Sequence, residues 1–298
     1  MSLDMTSRRR FLAASLGAAT LALPSSRVLA GIPKEGPLAQ LAALERRHGG
    51  QLGVAILDAH SGRRINHRGE ERFALLSTFK FLAAALVLAR VDRGEERLER
   101  RVVFEREALV PYSPVTEGRT GGAGMSLAEL CHATVTISDN TAGNLLLESF
   151  GGPPALTAFA RTLGDRHTRL DRIEPELNIV PPGEERDTTT PAAMLTSMRA
   201  LLIDETLSAA SRQQLVDWLV ATSTGDARLR AGFPQGWRVG NKTGTNGNAS
   251  NDIAIAWPPG RAPLLVSAYY DNGELPPEQR DAVLAEVGRI VASLPAGV

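Results

Sequence analysis

The chain has 298 residues, 43% hydrophobic and 22% charged, with 33 basic side chains set against 33 acidic ones, which are ordinary proportions for a soluble globular protein with ample core material. A formal charge of zero offers no basic stripe for nucleic acid, and beyond the first 30 residues no apolar run is long enough to span a bilayer. Small-molecule chemistry is favoured.

The N-terminus reads Ser7-Arg8-Arg9-Arg10-Phe11-Leu12, then an uncharged stretch to Leu23, then small residues around Val28-Leu29-Ala30. Basic start, apolar run and peptidase site in that order make residues 1–30 a signal peptide. The paired arginines before Phe-Leu resemble a twin-arginine signal, with a Sec signal as the alternative, and either implies a bacterial periplasmic or secreted protein. Removing it leaves 29 positive against 32 negative side chains, and no membrane association is expected of the remainder. Cys131 is the only cysteine and lies in an apolar helical stretch, so an inert buried thiol is expected and stability must come from packing. The five histidines show no paired ligand spacing, so neither a metal nor another cofactor is expected.

Residues 37–48 read as a helix, and Gln51–Asp58 as a strand turning at His60-Ser61-Gly62 into a second strand through His67. From Ser77 the period changes: Phe79, Leu82, Ala83, Leu86, Val87 and Val91 recur at helical spacing until Gly94. Ser126 and Glu129 form a capping-box pattern opening another helix, Thr141–Phe150 reads as the next, stopped by Gly151-Gly152, and Thr190-Pro191 caps a helix through Leu202. Strands return at Arg238–Thr243, Asp252–Trp257 and Pro263–Tyr270, followed by a helix over Pro277–Ser293. Strands at both ends with helices between them predict an α+β fold: one antiparallel sheet built from both termini and flanked by helices, with an inserted all-helical domain. The expected boundaries are 31–74 plus 221–298 for the α/β part and 75–220 for the helical part. A cleft is expected between them, and the irregular stretch 169–187 is long enough to be functional.

Only three lysines stand against 30 arginines, and two of them lie in short motifs, Ser77-Thr78-Phe79-Lys80 and Asn241-Lys242-Thr243-Gly244. A site that resists arginine needs a compact amine able to lose its proton. Ser77 and Lys80, three apart at a helix start, share a face, so the amine is placed to take the serine proton and make a nucleophile. Ser138-Asp139-Asn140 lies between two helices, where it also reads as a polar turn with an N-cap. Lys242-Thr243-Gly244 ends a strand, where a cation, a hydroxyl and a glycine are suited to receive a carboxylate-bearing ligand.

The ordered set Ser-x-x-Lys, Ser-Asp-Asn and Lys-Thr-Gly resembles the penicillin-recognising serine enzymes, a motif set for which class A β-lactamases are a known example. The long stretch, with Arg172-Ile173-Glu174-Pro175-Glu176-Leu177-Asn178 and a closing Asp187, is similar to the omega loop of class A β-lactamases. That resemblance implies a five-stranded sheet and a two-step acyl transfer through Ser77, with Lys80 or Glu174 as base for acylation. It implies Glu174 as the deacylating base with Asn178 beside the water, Ser138 as a proton relay, and Tyr112 and Asn140 against the substrate. Lys242, Thr243, Gly244 and Thr245 would line the carboxylate subsite, with the N–H groups of Ser77 and Thr245 as oxyanion hole. Arg172 and Asp187 would pair to close the loop. Asn251 stands where many members carry a carboxylate-binding arginine, and Arg228 fits a second position for that guanidinium. Leu76 replaces the cysteine of disulfide-bearing carbapenemases. The implied partners are β-lactams such as penicillins and cephalosporins, acting on a monomer without nucleic acid. The competing readings are a penicillin-binding D,D-peptidase and a β-lactam sensor that stays acylated, and Glu174 argues against the first.

Overall fold

The computed structural model describes residues 36–295, so the signal-peptide assignment to residues 1–30 lies outside it. Five strands form an antiparallel sheet in the order β2-β1-β9-β8-β7, with β1 Gln51–Asp58, β2 Arg64–His67, β7 Arg238–Thr245, β8 Ala249–Trp257 and β9 Leu264–Asp271. Short two-residue strands pair elsewhere: β3 Phe73–Ala74 with β6 Thr188–Thr189, and β4 Arg101–Val102 with β5 Met125–Ser126. Both termini feed the one sheet: β1 pairs with β9 in a register that sets Gln51 opposite Asp271.

The sheet is buried on both faces because successive side chains alternate sides. Val54, Ile56, Ala254, Val266 and Tyr270 pack against helices α1 Pro37–His48, α8 Leu229–Gly232 and α9 Pro277–Ala292. Ala55, Leu57, Ile253, Leu265 and Tyr269 face the opposite core, which includes α2 Phe79–Asp92, α3 Leu127–Thr136, α4 Asn140–Ser149, α5 Gly152–Thr162, α6 Pro191–Leu202 and α7 Ala209–Val220.

The spacing on α2 predicts one apolar stripe, yet every residue from Phe79 to Ala89 is buried. An all-apolar helix belongs inside a core rather than on its edge, and α2 is surrounded by the other helices. The nucleophile candidate therefore stands at the end of a rigid rod. At Ser126 the capping box forms as expected, with Glu129 N–H on the hydroxyl and the Glu129 carboxylate on the Ser126 N–H. Among the described residues, no helix is long and apolar enough to cross a membrane.

Three helices escaped the sequence reading, α5, α7 and the single turn α8. Gly151-Gly152 is not only a stop: Gly151, at φ 102°, ends α4's exit and Gly152 begins α5, with proline in its first turn. Helix α7 is opened by Ser208, whose hydroxyl accepts the Ser211 N–H. Strand β8 also starts three residues before the expected Asp252.

Candidate active site

A cleft of about 350 Å³ is lined by Ser77, Tyr112, Ser138, Asn140, Asn178, Thr224, Thr243, Gly244 and Thr245. Six segments far apart in sequence thus meet at one place. Ser77 sits in a single 3-10 turn, Leu76–Thr78, that runs directly into α2. The preceding Leu76 is held at φ 48°, a left-handed conformation costing roughly 1–2 kcal/mol for a residue with a side chain. Tyr112, Ser138 and Asp187 are also left-handed, at φ 63°, 66° and 58°. Among the described residues, four of the five non-glycine residues of this kind thus border the cleft or its loop, which is where local strain gathers in functional sites.

Lys80 Nζ is wholly buried and lies 3.1 Å from Ser77 Oγ and 3.1 Å from Glu174 Oε1. It also donates to Ser138 O at 2.8 Å and Asn140 Oδ1 at 2.5 Å. Ser77 Oγ in turn reaches Glu174 Oε1 at 3.4 Å, so hydroxyl, amine and carboxylate form a closed triangle. The other Glu174 oxygen accepts from Asn178 Nδ2 at 2.6 Å. Asn178 Oδ1 is buried with no hydrogen-bond partner, an acceptor aimed beside that carboxylate.

Lys242 Nζ, also fully buried, donates to Ser138 Oγ at 3.0 Å and to Thr243 O at 2.8 Å. The Ser138 hydroxyl consequently lies between two amines, with Lys80 at 3.4 Å. Burial pushes the Lys80 ammonium below the ordinary lysine range, and the nearby Glu174 carboxylate opposes that shift. Lys242 is pushed well below it by burial, and the charges of Lys80 and Arg228 add to the effect.

The omega loop is tied down at several points. Asp187, with no exposed side-chain surface, accepts the N–H groups of Asp171 at 2.8 Å and Arg172 at 2.9 Å, and pairs with Arg172 Nε at 2.5 Å. The Glu174–Pro175 peptide is cis. Asn144, one helical turn beyond Asn140 on α4, grips Glu174 with both ends of its amide: Oδ1 accepts the Glu174 N–H and Nδ2 donates to its carbonyl, each at 2.9 Å. Sequence reasoning missed Asn144, although its i+4 spacing from Asn140 on a helix face was a usable signal. Thr224 was also missed; it lines the cleft and bonds Thr243 Oγ1 at 2.7 Å, and nothing in its local sequence marks it.

The Ser138-Asp139-Asn140 motif serves both of its readings. Asp139 is a fully buried N-cap of α4, accepting Ala142 N–H at 2.8 Å, and its carboxylate also binds Thr116 and the N–H of Val115. Asn140 Nδ2 holds Pro111 O at 2.8 Å while the Asn140 N–H holds Tyr112 O at 3.0 Å, which sets the exposed Tyr112 ring at the cleft mouth.

Gly244 is required by contact. A Cβ there would meet Leu76 Cβ at 2.9 Å and Ser77 N at 3.2 Å, so only glycine lets β7 run this close to the nucleophile's own N–H. Behind β7, Arg228 is buried and bonds Thr245 Oγ1 at 2.7 Å, Gly244 O at 2.9 Å, Asn251 O at 2.8 Å and Asp281 at 2.8 Å. The comparison with Asn251 needs correcting. Its side chain turns to Ala74 O at 2.8 Å, opposite Gly244, and the β8 residue paired with Thr245 is Ser250. An arginine at 251 would not share the face of Thr245.

No cluster of metal-ligating side chains occurs among the described residues. Burial pushes the Cys131 thiol far up, leaving it inert.

Residues 37–294 match the Beta-lactamase enzyme family. The chain is 48% identical to Beta-lactamase L2 of Stenotrophomonas maltophilia, covering 97% of this chain and 99% of the relative. It is 48% identical to Beta-lactamase FAR-1 of Nocardia farcinica over 86% of this chain and 82% of that one. Among solved structures, an ancestral (GNCA) class A β-lactamase superposes with a TM-score of 0.84 at 62% identity, covering 86% of this chain and 98% of the other.

Proposed function

The chain belongs to the class A serine β-lactamases, and from that premise we propose that Ser77 opens the β-lactam ring and Glu174 directs the water that frees the acyl-enzyme. The enzyme is a β-lactam hydrolase and its biological consequence is antibiotic resistance. The observation that carries the proposed chemistry is the triangle of Ser77 Oγ, Lys80 Nζ and Glu174 Oε1, none further than 3.4 Å from the next.

In acylation, the Ser77 proton passes into that triangle as Oγ attacks the lactam carbonyl. The N–H groups of Ser77 and Thr245 are the proposed oxyanion donors, a reading supported by the close approach of Gly244. Ser138, hydrogen-bonded to both lysines, delivers a proton to the departing nitrogen. Lys242, Thr243 and Thr245 receive the substrate carboxylate, with Arg228 adding charge through Thr245 Oγ1. The charge of that carboxylate opposes the burial that pushes the Lys242 ammonium below the ordinary lysine range. Asn140 and Tyr112 border the substrate side chain. In deacylation, Glu174 takes the proton of a water that the free Asn178 Oδ1 orients.

In a D,D-peptidase or sensor the β-lactam adduct would persist, and a carboxylate 3.4 Å from the Ser77 oxygen that carries it works against that. We further propose export to the periplasm or beyond by the signal peptide at residues 1–30, action as a monomer, and a division into an α/β part (31–74 and 221–298) and a helical part (75–220). The test is intact-protein mass spectrometry with a penicillin. Wild type returns to its own mass, Glu174→Ala accumulates a stable adduct, and Ser77→Ala forms none; an adduct persisting on the wild type would overturn the hydrolase mechanism.

A further inference from the structure

Arg280, the largest fully buried side chain among the described residues, lies on α9, away from the chemistry. All its hydrogen bonds run to neutral oxygens: Leu275 O at 2.8 Å, Gly247 O at 3.0 Å, Asn246 O at 3.3 Å, Asn272 O at 3.4 Å and Ser250 Oγ at 3.5 Å. A buried guanidinium is costly unless its donors are used, and here two of its bonds hold Asn246 O and Gly247 O in the turn joining β7 to β8, residues 246–248, while the others hold Leu275, Asn272 and Ser250 beside it. The turn is thereby fastened to the start of α9.

That turn bridges to the catalytic loop. Asn246 Oδ1 accepts the N–H groups of Asn248 at 2.9 Å and Ala249 at 2.8 Å, which fixes the plane of its amide. Its Nδ2 is left pointing across the cleft to Asn178 O, 3.1 Å away. Asn178 in turn holds Glu174 Oε2. A continuous run of contacts therefore leads from α9 through the turn to the carboxylate.

We propose that Arg280 is a positioning residue for deacylation: it sets the 246–248 turn so that Asn246 anchors Asn178 and hence Glu174. This rests on the reading of Glu174 as the deacylating base. Acylation draws on Ser77 and Lys80 at the head of α2 and on Ser138 just before α4, and its triangle uses Glu174 Oε1, whereas Asn178 holds Oε2. Loss of the anchor should therefore slow the second step and spare the first. A displacement of about 1 Å costs on the order of 100-fold in a positioned step, and a loosened but tethered Asn178 should cost about 10-fold.

The experiment measures acylation and deacylation separately, by stopped-flow burst and by decay of the acyl adduct in mass spectrometry, for Arg280→Gln, Asn246→Ala and the double variant. The expected result is a deacylation rate about 10-fold lower in each single variant, acylation within about threefold, and a double variant no slower than the worse single one. Equal losses in both steps, or losses that multiply in the double variant, would overturn the proposal. Asn246→Ala keeps Arg280 in place, so it decides the matter even if Arg280→Gln does not fold: unchanged deacylation in that variant removes the link. If Glu174→Ala itself failed to trap an adduct, the base assignment would fall instead, a separate and recognisable outcome.

Discussion

Asp187→Ala should open the omega loop without unfolding the protein. The substitution strands the N–H groups of Asp171 and Arg172, both now bonded to Asp187 Oδ1, at about 1–2 kcal/mol each. It also frees the Arg172 guanidinium, which is 23% exposed and can rehydrate, so the ion pair adds only about 1 kcal/mol. Alanine at φ 58° adds about 1 kcal/mol that aspartate largely avoids. The total is about 4–6 kcal/mol, or on the order of 1,000- to 10,000-fold in the fraction of open loop. Asp187→Asn keeps both the Oδ1 acceptor and the tolerance of the left-handed backbone, so it should lose only about 1–2 kcal/mol. Hydrogen exchange across residues 171–187 reads the opening directly, and acyl-adduct decay reads its effect on Glu174. Equal effects of alanine and asparagine would refute this reasoning, as would loop protection in Asp187→Ala within about threefold of wild type.

Four further outcomes are expected. Lys80→Arg should fold but lose on the order of 1,000-fold in kcat/KM, because a proton-passing amine in a fully buried site is replaced by a permanent, larger cation, whereas Lys242→Arg should keep measurable activity; equal losses in steady-state kinetics would contradict that division. Gly143→Ala gains helix propensity on α4 but sets a Cβ 3.2 Å from Lys80 Cε, so stability measured in urea should change by less than about 1 kcal/mol while acylation slows. Burial raises the Asp252 carboxyl to about 7, so the folded state holds a proton that the unfolded chain releases near 3.8, and its contribution to stability falls as pH rises through that window. Urea unfolding at about pH 5 and about pH 8 should therefore show the penalty of Asp252→Asn shrinking at the higher pH.

The reading of the sequence was strongest where one residue type has one local job. Ser126 with Glu129, Thr190 before Pro191 and Gly94 after α2 mark helix ends by backbone chemistry alone, and each stands where expected. It was weakest where a signal has two meanings: Gly151-Gly152 both ends one helix and starts another. In the site, Ser77, Lys80, Ser138 and Lys242 were legible because their motifs name them. Asn144 and Asn246 were not, since an asparagine whose amide grips a backbone 30 or 68 residues away looks locally like any surface asparagine. Asn251 shows a third limit: which face of β8 a residue occupies depends on its register with β7, and one step along the strand reverses it.

The pairing of β1 with β9 has a consequence for how the enzyme comes into being. A chain emerging from the ribosome cannot complete its central sheet until Leu264–Asp271 has been made, because those residues alone cover one edge of β1. Contacts this distant in sequence close slowly. Until they do, one edge of β1 stays unpaired and open to other chains, and β7, with Lys242 at its centre, has no completed platform beside Ser77. Catalytic competence is thus an all-or-none property of the finished polypeptide, acquired only when its last strand is in place.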